Sequence, residues 1–323
     1  KKNTVESRIE ATKKYLGNLS VWESLKDLEK QAETLNKLAE LSYLTGDFKK
    51  GLGYSEKALS LFQNLKNRTM EAEMLNNIGG FLDALGQTRE SFPFLLKSVE
   101  ILRELGDKKR EAIALNTIGI SYSNIGEMRK AIDFLQRSLV LRREVKDRAG
   151  EARTLINTGA IYDDTGEKRK ATEFYEAGLK IAEEEKDLRS QSVALNNLGL
   201  TWHHLGEFQK SLDYYQKALA LRRQSGDKRG EAITLNNIGA VYESLGEFQQ
   251  SMELLQEALK IFQDSGLRRN EARSLSSIGV LYSNSGNAEK ALEFYQKALE
   301  IHRSLENKEG QTSVLRNIGV VYS

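Results

Sequence analysis

The chain has 323 residues, with 48 Lys and Arg against 46 Asp and Glu, for a formal net charge of +2. There is no cysteine, and the only histidines are His203, His204 and His302, which removes disulfide frameworks, thiolate zinc sites and cysteine nucleophiles. The even charge sets up no strong field for nucleic acid or an acidic membrane, no apolar run reaches the roughly 20 residues of a membrane span, and a single proline among 29% charged residues points to helix.

The amino end, Lys1-Lys2-Asn3-Thr4, has neither a starting Met nor an apolar signal core, so the chain is expected to be cut from something longer. Residues 1–31 read as half a repeat, a lone second helix around 8–25. From there the sequence repeats with a period of 40 residues. The segments Leu75-Asn76-Asn77-Ile78-Gly79, Leu115-Asn116-Thr117-Ile118-Gly119, Leu155-Ile156-Asn157-Thr158-Gly159, Leu195-Asn196-Asn197-Leu198-Gly199 and Leu235-Asn236-Asn237-Ile238-Gly239 are successive copies. Leu275-Ser276-Ser277-Ile278-Gly279 and Leu315-Arg316-Asn317-Ile318-Gly319 continue the series, and Leu35-Asn36-Lys37-Leu38-Ala39 is a degenerate first member. Full repeats are expected at 32–71, 72–111, 112–151, 152–191, 192–231, 232–271 and 272–311, followed by a half repeat at 312–323. A fixed period of this size means a stack of supersecondary units, each covering its neighbour's apolar face.

Each repeat reads as two helices. Leu115, Ile118, Gly119 and Tyr122 fall at i, i+3, i+4 and i+7, one face of a first helix, and Gly126 ends it. Ala131, Leu135, Ser138 and Leu139 form the stripe of a second helix running to about Val145. Gly119 and its equivalents sit in mid-helix, where glycine costs about 1 kcal/mol relative to alanine. Seven such positions imply close approach of the partner helix, at Ser91, Ala131, Ala171, Ser211, Ser251 and Ala291. The aromatic series Tyr122, Tyr162, Trp202, Tyr242, Tyr282 and Tyr322 is expected in the core. Pro93, several residues into a second helix, predicts a kink or a late helix start. The last helix presents Leu315, Ile318 and Tyr322 with no partner, and a stack needs a polar capping repeat at each end. The natural protein is therefore expected to continue in both directions.

With Leu–Ile–Gly–Tyr in the first helix and Ser211, Tyr215 and Ala218 in the second, the chain resembles tetratricopeptide repeat proteins over essentially its whole length. It departs from them in its period, 40 residues against the family's about 34, and in lacking the usual proline between repeats. The long variety is similar to the arrays that bacterial proteins join to a caspase-like CHAT protease domain and, less closely, to those of animal spindle-orienting scaffolds. The resemblance implies an all-α fold, an alpha-alpha superhelix whose first helices line its inner surface, and a groove there that binds peptides.

On the side of the first helices away from their own repeat's core lie Gly80, Ile120, Ala160, Leu200, Ala240, Val280 and Val320, all small or apolar. Asn76, Asn116, Asn196 and Asn236 flank this floor on one side, and Asn77, Asn157, Asn197, Asn237 and Asn317 on the other. An Asn side chain offers both a donor and an acceptor, as a peptide main chain requires. Two readings stand open: the amides hold a ligand backbone, or they bond neighbouring helices while the floor packs between repeats. Asp83, Asp163, His203 and Glu243 form a charged stripe at the next helical turn, which suits a polar, basic peptide segment.

Catalysis would need a base, a nucleophile or a metal in one concave site. Adjacent His203 and His204 point about 100° apart on a helix and cannot chelate one ion. Asp163, His203 and Glu243 are placed to line up across adjacent helices, as an active site or as a hydrogen-bonded polar stripe, and the second is preferred. A basic edge at the inter-repeat turns, including Lys108, Lys109, Arg110, Arg148, Lys228 and Arg229, is interleaved with acids and lacks stacking aromatics, as expected of a solvated edge. The expected function is a non-catalytic, cytoplasmic protein-interaction scaffold with a peptide or protein partner. No metal, cofactor, nucleic acid, membrane or small-molecule substrate is expected. The alternative is the sensor region of a larger enzyme such as a CHAT-type protease.

Overall fold

The computed structural model describes residues 5–322. Among these residues there are sixteen α-helices and no strand. They fall into two compact units, 1–190 and 191–323. The first unit holds α1 (Val5–Ser24), α2 (Leu28–Thr45), α3 (Phe48–Asn64), α4 (Arg68–Ala84), α5 (Thr88–Glu104), α6 (Lys108–Asn124), α7 (Met128–Glu144), α8 (Arg148–Asp164) and α9 (Lys168–Glu184). The second holds α11 (Phe208–Ser225), α12 (Lys228–Ser244), α13 (Phe248–Asp264), α14 (Arg268–Asn284), α15 (Ala288–Ser304) and α16 (Lys308–Tyr322). α10 (Leu188–His204) spans the division.

Local chemistry sets the helix ends. Asp27, Asp47, Asn67, Asp107, Asp147, Asp227 and Asn287 each accept the backbone N–H three residues on, satisfying a donor that has no intrahelical partner. Gly126, Gly166 and their equivalents follow the first helices at φ near +80°, a conformation glycine adopts without a Cβ clash. The inter-repeat turn needs the same conformation. It is supplied by Gly106, Gly226 and Gly266 in three repeats, but by Lys66, Lys146, Lys186 and Glu306 elsewhere.

Within each unit every helix packs on its sequence neighbours, and first helices also touch first helices: α4 on α6, α6 on α8, α12 on α14, α14 on α16. The core is thus a series of linked clusters. One of them joins Ala72 and Leu75 of α4, Leu95 and Leu102 of α5, and Leu115 and Ile118 of α6. The mid-helix glycines mark the tightest approach. A Cβ on Gly119 would stand 2.8 Å from Leu135 Cγ and 3.1 Å from the Ala131 carbonyl oxygen, and one on Gly279 2.6 Å from Tyr295. The side chain filling the gap is therefore the Leu or Tyr four residues beyond the small residue, while the small residue lets the backbones meet. Ser211 additionally donates to the Gly199 carbonyl at 2.7 Å.

Two expectations change in detail. The aromatic series is half-buried, not fully buried, and Tyr322 is exposed. Tyr122 lies between Phe92 and Phe134, at 4.5 and 5.3 Å between ring centroids. Four of the rings, Tyr122, Tyr162, Trp202 and Tyr282, carry a lysine eight residues on, Lys130, Lys170, Lys210 and Lys290, 4.5–5.4 Å from the centroid. Pro93 does not delay its helix. α5 begins at Thr88 and runs through it, at the cost of the one backbone hydrogen bond that the proline nitrogen cannot donate. In α16, which starts at Lys308, Leu315 and Tyr322 are exposed as expected of a face without a partner, but Ile318 is half-buried against the cluster formed with α14 and α15.

Candidate functional site: the face of the first helices

The stripe behind the core is open in the first unit. Gly80 and Ala160 are half-buried and Ile120 is exposed; in the second unit Leu200, Ala240 and Val280 are half-buried. A cleft of about 580 Å³ lies across α2, α4 and α6, lined by Tyr43, Asn76, Asn77, Gly80, Phe81, Asp83 and Ile120 among others. It exists because the floor drops at Gly80. A Cβ there would meet no heavy atom within 4 Å, whereas Ile120 fills the equivalent place one repeat on.

The amides obey a register that the sequence analysis did not extract. A second-series Asn donates to the first-series Asn of the preceding repeat, 41 residues earlier: Asn77 to Asn36 at 3.4 Å, Asn157 to Asn116 at 3.1 Å, Asn237 to Asn196 at 3.2 Å. The pairing needs Asn at both ends. Asn236 faces Ser277 in this register and instead exchanges hydrogen bonds with Ser274 at 3.0 and 3.1 Å. Asn76 faces Thr117, whose hydroxyl donates to Ile113 O of its own helix at 3.1 Å. As a result the Asn76 Oδ1 is buried without a hydrogen-bond partner, a cost of about 1–3 kcal/mol. Asn196 and Asn236 are buried, while Asn76, Asn77, Asn116, Asn157, Asn197 and Asn237 keep some exposure. The Asn196 Oδ1 also takes Arg222 and Thr234, each at 3.4 Å.

Three members of the charged stripe are likewise bonded between repeats. Ser121 donates to Asp83 Oδ2, His203 Nε2 lies 2.9 Å from Ser244 Oγ, and Asn284 donates to Glu243 Oε1 at 2.7 Å. Asp163 is buried and pairs with Lys168, Oδ1 to Nζ 3.1 Å. Burial pushes the Asp83 and Glu243 carboxyls above the usual range, tempered by their hydrogen bonds. Burial, then the neighbouring His204, pushes His203 down. Among the described residues no three His, Asp or Glu side chains gather in a way that could hold a metal ion.

Sequence reasoning also missed a buried acidic series, Glu71, Glu111, Glu151, Glu231 and Glu271. Each lies in the first turn of a first helix; four take charged or amide donors from two residues, and Glu111 takes both of its bonds from Arg103. Glu151 pairs with Arg143 and Arg148 at 2.7 and 2.8 Å, and Glu231 with Arg223 and Lys228 at 2.9 and 2.8 Å. The same edge carries bridges from one repeat to the next: Arg68 to Glu104, Lys108 to Glu144, Arg148 to Glu184. The cations of the basic edge are therefore largely engaged. The available signal was an acid four residues beyond a turn Asp that is followed by a basic residue, as in Asp107-Lys108-Lys109-Arg110-Glu111 and Asp227-Lys228-Arg229-Gly230-Glu231, but it says nothing of burial.

The sequence profile of the tetratricopeptide repeat matches residues 30–104, 70–144, 110–184, 190–264 and 270–323. The chain belongs to the tetratricopeptide repeat family. Its all-α solenoid of helix pairs is that family's fold. Among solved structures, this tetratricopeptide repeat chain is similar to BtubC from P. vanneervenii, with 23% identity over 68% of this chain and 92% of that one and a TM-score of 0.59. It is similar to the Rap conjugation gene regulator of plasmid pLS20, solved in complex with the Phr* peptide, with 15% identity over 88% and 77% and a TM-score of 0.67. It is also similar to a signal transduction ATPase with numerous domains and a tetratricopeptide repeat sensor from Pyrococcus horikoshii, with 16% identity over 97% of this chain and 49% of that one and a TM-score of 0.63. No curated protein matches the chain. No helix among the described residues is long and apolar enough to cross a membrane.

Proposed function

We propose that the chain is a non-catalytic protein-interaction scaffold that holds an extended peptide segment of its partner against the face of the first helices. The observation that carries this reading is the cleft over Gly80, where an apolar floor and walls, Tyr43, Phe81 and Ile120, stand beside the amides of Asn76 and Asn77. Its size lies within the 300–1,000 Å³ range of ligand sites, and its mixture of apolar surface with a few polar groups is theirs too. The Rap regulator, similar in fold, was solved with a peptide, which favours the same class of ligand here. The engaged cations of the inter-repeat edge favour a protein partner over nucleic acid, which needs free Lys and Arg for its phosphates.

The amides divide the work. Those paired 41 residues apart tie repeats together, and the remaining donors and acceptors of the half-buried ones face a ligand. The test is selection of phage-displayed random dodecapeptides on the full chain. Convergent peptides should lose binding to Ile120→Arg, on the first-helix face, and keep it with Val140→Arg, exposed on α7. The opposite pattern, or no convergence, contradicts the reading.

A second reading, the sensor region of a larger regulatory enzyme such as a CHAT-type protease, is favoured by the likeness to the sensor-bearing ATPase. An immunoblot of the source cells with antibody to this chain should then show a product well above the chain's own mass; a product of the chain's own mass counts against it.

A further inference from the structure

Three features of residues 72–111 coincide at the cleft, and no other described repeat combines them. The first is Gly80, the only glycine in a series otherwise held by Ile120, Ala160, Leu200, Ala240, Val280 and Val320. It opens a seat bounded by the Tyr43 and Phe81 rings, which lie edge to face at 5.9 Å. The second is Asn76, whose side chain lines that seat and whose Oδ1 lacks a partner because Thr117 stands where an Asn donor is needed. The third is Asp83. Two repeats on, the equivalent Asp163 pairs with Lys168, but the residue in that place here is Thr88. Asp83 Oδ2 therefore takes the Ser121 hydroxyl, its Oδ1 has no hydrogen-bond partner, and no cation among the described residues pairs with it.

Of the other charged groups on the cleft, Glu40 is already paired with Lys37 at 2.9 Å, and Arg189 has an interaction of its own. A half-buried carboxylate facing a cleft without a counter-charge favours a ligand cation, much as Lys168 serves Asp163. The seat beside it has open space where a Gly80 side chain would stand, with Asn76 on its wall.

Building on the groove reading, we propose that this cleft takes an extended peptide segment that seats one apolar side chain over Gly80 and pairs a lysine or arginine side chain of the same segment with Asp83. The charged pair adds specificity, because a peptide without the cation leaves Asp83 uncompensated.

The probe is the set of dodecapeptides enriched by the selection above, synthesised with a fluorescein label and titrated by anisotropy. Enriched sequences should carry Lys or Arg within a few residues of a large apolar residue. Their affinity should fall about tenfold or more for Asp83→Asn, as expected for loss of a charge-assisted contact, and at least as much for Gly80→Leu, which fills the seat. Both variants should melt no lower than the parent. This keeps loss of binding separate from loss of fold. Enriched peptides lacking a basic residue, or undiminished binding to both variants, overturn the inference. Peptides that fail on Ile120→Arg yet bind Gly80→Leu and Asp83→Asn normally overturn it while leaving the groove reading intact. No convergence, or peptides blocked by Val140→Arg alone, overturns both.

Discussion

Gly79 and Gly80 are neighbours in the middle of α4, yet alanine at the two positions should shift stability in opposite directions. Alanine in place of glycine within a helix is worth about 1 kcal/mol from propensity alone. At Gly80 nothing opposes that gain, because no heavy atom lies within 4 Å of the added Cβ. At Gly79 the same atom would stand 2.4 Å from both Cγ and Cδ2 of Leu95, a side chain with 0% exposure and so no room to yield. Overpacking of this kind costs about 1–3 kcal/mol, which cancels or exceeds the propensity gain and leaves Gly79→Ala neutral to about 2 kcal/mol worse. Repeat arrays open locally, so native-state hydrogen exchange of the α4 and α5 amides is the suitable assay. Gly80→Ala should raise protection about fivefold, the equivalent of about 1 kcal/mol, and Gly79→Ala should leave it unchanged or lower it. Equal gains at both positions would refute the argument that Gly79 is there for helix contact and Gly80 for the opening.

Other substitutions follow from the same geometry. Asn196→Ala should destabilise by about 1–3 kcal/mol in urea titrations, since it removes the acceptor of Asn237, Arg222 and Thr234; Asn76→Ala, whose Oδ1 has no partner, should cost clearly less. Asp83 has a raised folded-state pKa, so its favourable contribution is present at low pH and lost as pH rises through that value. Asp83→Asn should therefore raise the melting temperature at pH 7, the gain shrinking towards pH 4. Glu231 behaves in the reverse sense. Burial opposes its charge, but hydrogen bonds from Lys228 and Arg223 outweigh that and lower its pKa. Glu231→Gln should lower the melting temperature at pH 7, with the deficit fading as pH falls through the folded-state value. Lys146, at φ +55°, occupies a left-handed turn that costs a non-glycine residue about 1–2 kcal/mol; Lys146→Gly should raise the urea midpoint, and Gly106→Ala should lower it.

The repeat, the helix pairs and the small-residue contacts were legible because they depend on periodicity within one repeat. Leu115, Ile118 and Gly119 face a helix only a dozen residues away, and the 3.6-residue period exposes that face directly. Contacts between repeats were harder to read. Both Asn series were visible, but the link from Asn157 to Asn116 is 41 residues long, one more than the period, because successive first helices are offset by a residue where they touch. Once that register is known, the sequence itself singles out Asn76 through Thr117. Burial of Glu71, Glu151 and Glu231 was not legible, since an acid in the first helical turn is equally at home in solvent. The half-burial of Tyr122 and its relatives went unread for a similar reason: an aromatic at core spacing says nothing of how much of its ring stays exposed, or of the lysine that lies over Tyr122, Tyr162, Trp202 and Tyr282.

The measurement that bears most directly on the central claim is site-specific photo-crosslinking in the cells that make the protein. p-Benzoylphenylalanine would replace Ile120 on the first-helix face in one strain and Val140 on α7 in another. A scaffold that grips its partner with the first helices predicts a discrete protein adduct from position 120 and none from position 140. An adduct from position 140 with none from position 120 would contradict it.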